Sequence, residues 1–118
     1  MAIQQLLDDV LFVELPPTGS KIGEELNAVN EMVSSGNTSH VIIDFRRVEL
    51  LNSWNISTLL ALRGLLQETD KRLVFCNVRM VTRCIFAVAG LRKVFEFAAN
   101  QEKALSFLNN SGTTTSKC

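Results

Sequence analysis

Few residues of this chain carry side chains suited to chemistry, and their spacing limits what that chemistry can be. The single histidine, His40, stands just ahead of the apolar run Val41-Ile42-Ile43-Asp44-Phe45. A nucleophile–base pair needs a partner group within hydrogen-bond reach, and no second imidazole exists to serve as base. His40 therefore reads as a strand-start residue. Asp44 closes the same run, at the carboxyl end of a predicted central strand, where open α/β sheets bind their ligands. A metal or phosphoryl-transfer site would want a second acid beside it, and the nearest, Glu49, lies across an irregular link. Asp44 is read instead as a loop carboxylate that accepts backbone N–H groups. Cys76, Cys84 and Cys118 are odd in number and far apart, which argues against both a disulfide framework and a zinc site. The first two are expected to be buried thiols in apolar segments, the third to be exposed. No glycine-rich phosphate loop is present; Gly19-Ser20-Lys21 lacks the earlier glycine such a loop needs and reads better as a turn and helix cap. No catalytic residue, metal ligand or cofactor is predicted, and the chain is not read as an enzyme.

The composition narrows the field further. Twelve basic residues balance twelve acidic ones, so the clustered positive charge that nucleic acid or an anionic membrane requires is missing. Arg46-Arg47 and Arg92-Lys93 are too short to make a binding stripe. No run reaches the roughly 18–20 apolar residues of a membrane span, and Met1-Ala2-Ile3-Gln4-Gln5 lacks the basic region of a signal peptide. The expectation is a cytoplasmic protein with no nucleic-acid partner and no membrane insertion. A length of 118 residues with 47% hydrophobic side chains suits one domain with a real core. The oligomeric state is left open.

These residues need elements to hold them. Val10 to Leu15 reads as a strand stopped by Pro16-Pro17. Ile3 to Leu7 reads as an earlier strand, paired with it as a hairpin across Asp8-Asp9. From Ser20 the period changes: Ile22, Leu26, Val29 and Val33 form one helical stripe, with Ser20 as its cap and Ser34-Ser35-Gly36-Asn37 as its end. The β-branched run His40 to Phe45 suggests a strand buried on both faces. A second helix starts near Ser53, carrying Ile56, Leu59, Leu60 and Leu66, and stops near Thr69-Asp70. Leu73 to Cys76 is a strand. Met80 to Ala89 is a helix with Val81, Cys84, Ile85 and Val88 inward and Gly90 closing it. Val94 to Phe97 is an edge strand, and Gln101 to Leu108 a last helix using Ala104, Leu105 and Leu108. Strands alternating with helices imply a mainly parallel α/β sheet of roughly four or five strands, with about four helices packed on it. The domain is expected over residues 1–108, with 109–118 a disordered tail.

The segment from Asp44 to Leu60 stands apart. A buried strand leads through a short link to a helix whose first turns carry Asn52, Ser53, Trp54, Asn55, Ser57 and Thr58. Val41 to Phe45, then Val48, then Leu50-Leu51-Asn52-Ser53, then Leu59-Leu60, resembles the central signature of the STAS family: an apolar strand, an aspartate, a link, then Asp-Ser-Ser-Gly-Leu opening a helix. Arg72 to Asn77 resembles its next strand, Val88 to Phe95 its following Gly-Leu segment, and Glu102 to Leu105 its final helix. The likeness runs from about Val10 to Leu108, and the order of the short motifs carries it. Within that family the chain is most similar to the bacterial, SpoIIAA-like anti-sigma factor antagonists.

That resemblance implies a STAS fold and a role in partner switching: binding an anti-sigma factor that is also a serine kinase, with phosphorylation at the helix start breaking the complex. A dianion in a packed interface costs desolvation and repulsion, so one phosphate can act as a switch. Here the signature Asp is Asn52, its first serine is Ser53, and its second, the usual phosphate acceptor, is Trp54. The following glycine is Asn55, and the family's Gly-x-Leu-Asp after the second strand is replaced by Pro16-Pro17-Thr18-Gly19. The expected contact surface is Asn52, Ser53, Trp54, Asn55, Ser57 and Thr58, flanked by Arg46 and Arg47. Trp54 is either an exposed anchor for a partner or a side chain folded back against the sheet. Ser53 reads as the helix N-cap and also, with Ser57, as a candidate phosphosite. The alternative implied function is a STAS accessory subunit of a transporter, or a ligand- or nucleotide-responsive regulator.

Overall fold

In the computed structural model the described residues are 3–109 apart from 8, 37 and 38. The elements follow one another as strands β1 (Ile3–Leu7) and β2 (Val10–Glu14), helix α1 (Gly19–Ser34), β3 (His40–Asp44), α2 (Ser53–Glu68), β4 (Leu73–Cys76), α3 (Met80–Val88), β5 (Glu96–Ala98) and α4 (Gln101–Asn109). The five strands lie side by side in chain order. β1 pairs antiparallel with β2, and every later pairing is parallel. This is the mainly parallel α/β architecture the alternation of periods predicts. The turn between β1 and β2 includes Asp8, which lies outside the described residues, as does the tail from 110 onward.

Side-chain alternation sorts each strand onto two cores. Leu11, Val13, Val41, Ile43, Leu73 and Phe75 face one layer, where the α1 stripe Ile22, Leu26, Val29 and Val33 meets Leu59, Leu62 and Leu66 of α2. Val10, Phe12, Ile42, Val74, Cys76 and Ala98 face the other way, against Ala104 and Leu108 of α4. β3 sits at the centre, covered on both sides, which is why its β-branched run has no polar alternation.

Four details depart from the sequence expectations. The α1 cap is Thr18, which has extended backbone angles and no side-chain capping bond, so Ser20 lies inside the first turn. Leu60 of α2 is exposed; the buried stripe runs instead through Asn55, Thr58, Leu59, Leu62 and Leu66. The last strand is Glu96–Ala98 rather than Val94 to Phe97, because Val94 is held in a turn by its N–H bond to the Leu91 carbonyl (3.0 Å).

The fourth is the largest. α3 is turned with Thr82 and Phe86 inward, while Val81, Cys84 and Val88 face solvent. Phe86 decides this orientation. Its ring lies among Phe45, Phe75, Phe95 and Phe97, with centroids 5.5–6.1 Å away. A buried aromatic removes more apolar area from water than a valine does, and ring–ring packing adds to that. Among the described residues no helix is long and apolar enough to cross a membrane.

Candidate functional site

The site is built where the parallel strands end. β3 finishes at Asp44, which is buried, and its backbone carbonyl accepts the Leu15 N–H at 3.1 Å. Asp44 Oδ1 accepts the Arg46 N–H at 2.8 Å and an Asn77 Nδ2–H at 3.1 Å. The carboxylate thus orders the start of the link and ties it to the loop after β4. Asn77 has φ +56°, a left-handed conformation that asparagine tolerates better than most residues. It was not identifiable as a partner of Asp44 from sequence, since the two are brought together only by strand pairing; an asparagine directly after a strand was the available signal. Arg46 reaches out to Glu14 (3.1 Å), an exposed pair worth little to stability.

Beyond Arg46 the link is fastened at two further points. Val48 is buried and its N–H bonds the Phe45 carbonyl (3.0 Å). The Pro17 carbonyl accepts the Glu49 N–H at 2.9 Å and the Leu50 N–H at 3.4 Å. Proline 17, in the segment that departs from the family pattern, therefore binds the loop after β2 to the link after β3. Leu51 is buried beneath, and this leaves Leu50, its neighbour, 63% exposed.

The helix start is a complete capping box. Asn52 Oδ1 accepts the Asn55 N–H at 2.8 Å, and Asn55 Oδ1 accepts the Asn52 N–H at 3.0 Å. Two orphan donors of the first turn are satisfied reciprocally. The cap is thus Asn52 rather than the expected Ser53. Ser53 is the first helical residue and its side chain is exposed.

Of the six residues expected at the contact surface, Asn52, Ser53, Trp54 and Ser57 are exposed. Asn55 and Thr58 are not; both are buried, on the helix face that continues into Leu59, Leu62 and Leu66. Thr58 Oγ1 donates to the Trp54 carbonyl at 2.9 Å. They support the surface from behind and cannot line it.

Trp54 does not fold against the sheet. A Cβ placed on Gly23 of α1 would lie 3.6 Å from the indole Nε1 and 3.7 Å from Cδ1, so the ring edge rests beside that glycine. The remainder faces outward, and Trp54 is 64% exposed. Leu50 and Trp54 thus present two large exposed apolar side chains in the segment that also exposes Ser53 and Ser57, on backbone held by part-buried hydrogen bonds.

The other groups considered from sequence lie apart. His40 Nδ1, at the opposite end of β3, accepts the Arg72 N–H at 2.9 Å. Burial, and then the nearby Lys71 charge, hold its pKa below 6.5. Burial pushes the Cys76 thiol up to about 12, with the Asp44 carboxylate adding to the effect, so this sulfur is inert at neutral pH.

The STAS family profile matches residues 5–104. The chain belongs to the STAS family. Solved structures agree on the fold. An anti-sigma factor antagonist STAS domain protein from Planctomyces limnophilus aligns with a TM-score of 0.79 at 16% identity, over 92% of this chain and 98% of its own. The anti-sigma factor antagonist SpoIIAA in its unphosphorylated form gives 0.72 at 15% identity, over 91% and 96%. A sulfate transporter family protein from Wolinella succinogenes gives 0.72 at 15% identity, over 85% and 84%. Identities this low establish a shared STAS fold. No curated protein matches the chain in sequence.

Proposed function

We propose that this STAS domain is a non-catalytic protein-interaction module of a partner-switching circuit. It binds an anti-sigma factor/serine kinase, or a related regulatory protein, through Leu50, Asn52, Ser53, Trp54 and Ser57. The observation that carries this reading is the exposure of Leu50 and Trp54 on a link and helix start fastened by part-buried hydrogen bonds. Aromatic anchors on preorganised backbone are where binding energy concentrates, because little entropy is lost on docking. With Trp54 at the usual acceptor position, serine phosphorylation there is ruled out by chemistry. Ser53 and Ser57 are the hydroxyls on this surface that a kinase can reach.

Trp54 is the single tryptophan and there is no tyrosine, so its emission reports binding directly. Titration with the anti-sigma kinase of the same circuit is expected to blue-shift that emission. Trp54→Ala, followed by calorimetry, is expected to weaken binding by about 2 kcal/mol, roughly thirtyfold in Kd. Unchanged affinity in Trp54→Ala sinks this reading. Intact-mass analysis after incubation with the kinase and ATP then decides regulation: phosphate on Ser53 or Ser57 makes the contact switchable, and none makes it constitutive. The sulfate-transporter-family neighbour favours a second reading, an accessory domain of a transporter. Under that reading the emission shift comes with permease cytoplasmic segments and not with a kinase.

A further inference from the structure

We infer that the outward face of α3 is a second protein-docking surface, built to receive an acidic amphipathic helix of a partner protein. At ~100° per residue, Met80, Val81, Cys84, Ala87 and Val88 fall on one side of this helix, opposite Thr82 and Phe86. All five are exposed, Met80 at 77%, Val81 at 61% and Val88 at 90%. The helix cannot roll to hide them, because Phe86 is locked among four other phenylalanines. The apolar stripe is therefore a fixed property of the folded surface, of the kind that marks an interaction site.

Charge says what covers it. Arg79, Arg83, Arg92 and Lys93 border the stripe, and no aspartate or glutamate occurs from residue 73 to 95. Among the described residues none of these four cations makes an ion pair. Arg83 lies over the Phe97 ring, 5.0 Å from its centroid. Beside the stripe a shallow hollow of about 170 Å³ is lined by Arg83, Cys84, Ala87, Arg92 and Phe97. Its floor is apolar and two guanidinium groups stand at its margin. This suits an apolar side chain with a carboxylate beside it, presented from a helix in the helix-in-groove manner.

Other occupants fit less well. Two α3 faces meeting across a two-fold axis would set like charges against each other. The segment Asn110-Ser111-Gly112-Thr113-Thr114-Thr115-Ser116-Lys117-Cys118 offers no branched aliphatic or aromatic side chain to bury there. A lipid surface calls for bulky Trp, Phe or Leu on the apolar face, and the stripe offers only methionine, valine, cysteine and alanine.

The test uses the full, isotope-labelled chain and a synthetic peptide of about four helical turns, with leucines at i, i+3, i+4 and i+7 flanked by glutamates. Amide shifts are expected on α3 and around Arg92, with Trp54 unaffected. A lysine-flanked version of the peptide, and the Val88→Asp variant with the acidic peptide, are each expected to bind at least about tenfold more weakly. Val88 is too exposed for that change to unfold the domain, and Arg92→Glu supplies an independent second variant. Any of four results overturns the inference: shifts confined to the Leu50–Trp54 surface, equal binding of both peptides, concentration-dependent self-association through α3, or binding only to phosphatidylglycerol-containing vesicles. Trp54→Ala leaves peptide binding intact if the two surfaces are separate, so failure of the α3 surface is distinguishable from failure of the α2 one.

Discussion

Helices α2 and α3 leave the same end of the sheet, yet they are held in opposite ways. α2 opens on a reciprocal Asn52–Asn55 capping box and turns its polar-looking first residues, Asn55 and Thr58, into the core. α3 follows an N-cap, Arg79, that makes no side-chain capping bond, and turns both of its valines into solvent. One helix is positioned by hydrogen bonds at its entry, the other by a single aromatic ring near its end. The contrast teaches that an apolar stripe in a sequence identifies a face but not its destination. When a helix carries two apolar faces, the one holding the larger side chain wins the core.

The sharpest way to break this contrast is within α3. Phe86→Ala is expected to cost about 3–5 kcal/mol in urea unfolding, by transfer loss plus cavity. Val88→Ala, at the position that periodicity alone would place inside, is expected to stay within about 0.5 kcal/mol. Equal effects would mean the helix is turned the other way. Next comes the α2 entry: Asn55→Ala is expected to cost about 1–2 kcal/mol, because it removes the reciprocal half of the capping box and takes the Asn55 Oδ1 acceptor from the Asn52 N–H. Ser53→Ala should be near neutral, and a larger loss there would restore Ser53 as the cap.

Smaller effects probe the support of both faces. At Gly23 an added methyl would meet Trp54 and Asn55 at 3.6–3.8 Å, ordinary contact. Gly23→Ala is therefore expected to stabilise by about 0.5–1 kcal/mol through helix propensity, read as a raised urea midpoint. His40 adds a pH dependence. Its folded pKa lies below the unfolded 6.5, so its stabilising share is complete above 6.5 and is lost as pH falls from there through the folded value. His40→Asn, which keeps an acceptor for the Arg72 N–H, should flatten the acid side of a melting-temperature profile. In the thiols the contrast is kinetic: with Cys118 replaced by serine, Cys84 is expected to react readily with a thiol reagent, and buried Cys76 only on unfolding.

Much of the fold was legible because the period of the chain switches cleanly between strand and helix. The order of the nine elements among the described residues, the α1 stripe and the two-sided burial of β3 follow from local pattern. What was not legible depends on contacts distant in sequence. The rotation of α3 is settled by Phe45, Phe75, Phe95 and Phe97, none of them in that helix. The cap at Asn52 rather than Ser53 depends on Asn55 being buried against α1, and the hold on the link depends on Pro17. Within the candidate site, the hydroxyls and the tryptophan could be named from type and spacing, whereas the exposure of Leu50 follows from Leu51 being the side chain that inserts.

The helix that covers the second face, α4, has a consequence for synthesis. The first three helices arise between consecutive strands, so each parallel pair forms together with the connection that spans it. Among the described helices it is α4 that packs across β3, β4 and β5 from the other side, and it follows all five described strands in the chain. Until it arrives, Val10, Phe12, Ile42 and Val74 form an open hydrophobic floor. A growing chain therefore passes through a stage in which the larger core cluster can assemble while the smaller one lies bare, which is when a chaperone has something to hold.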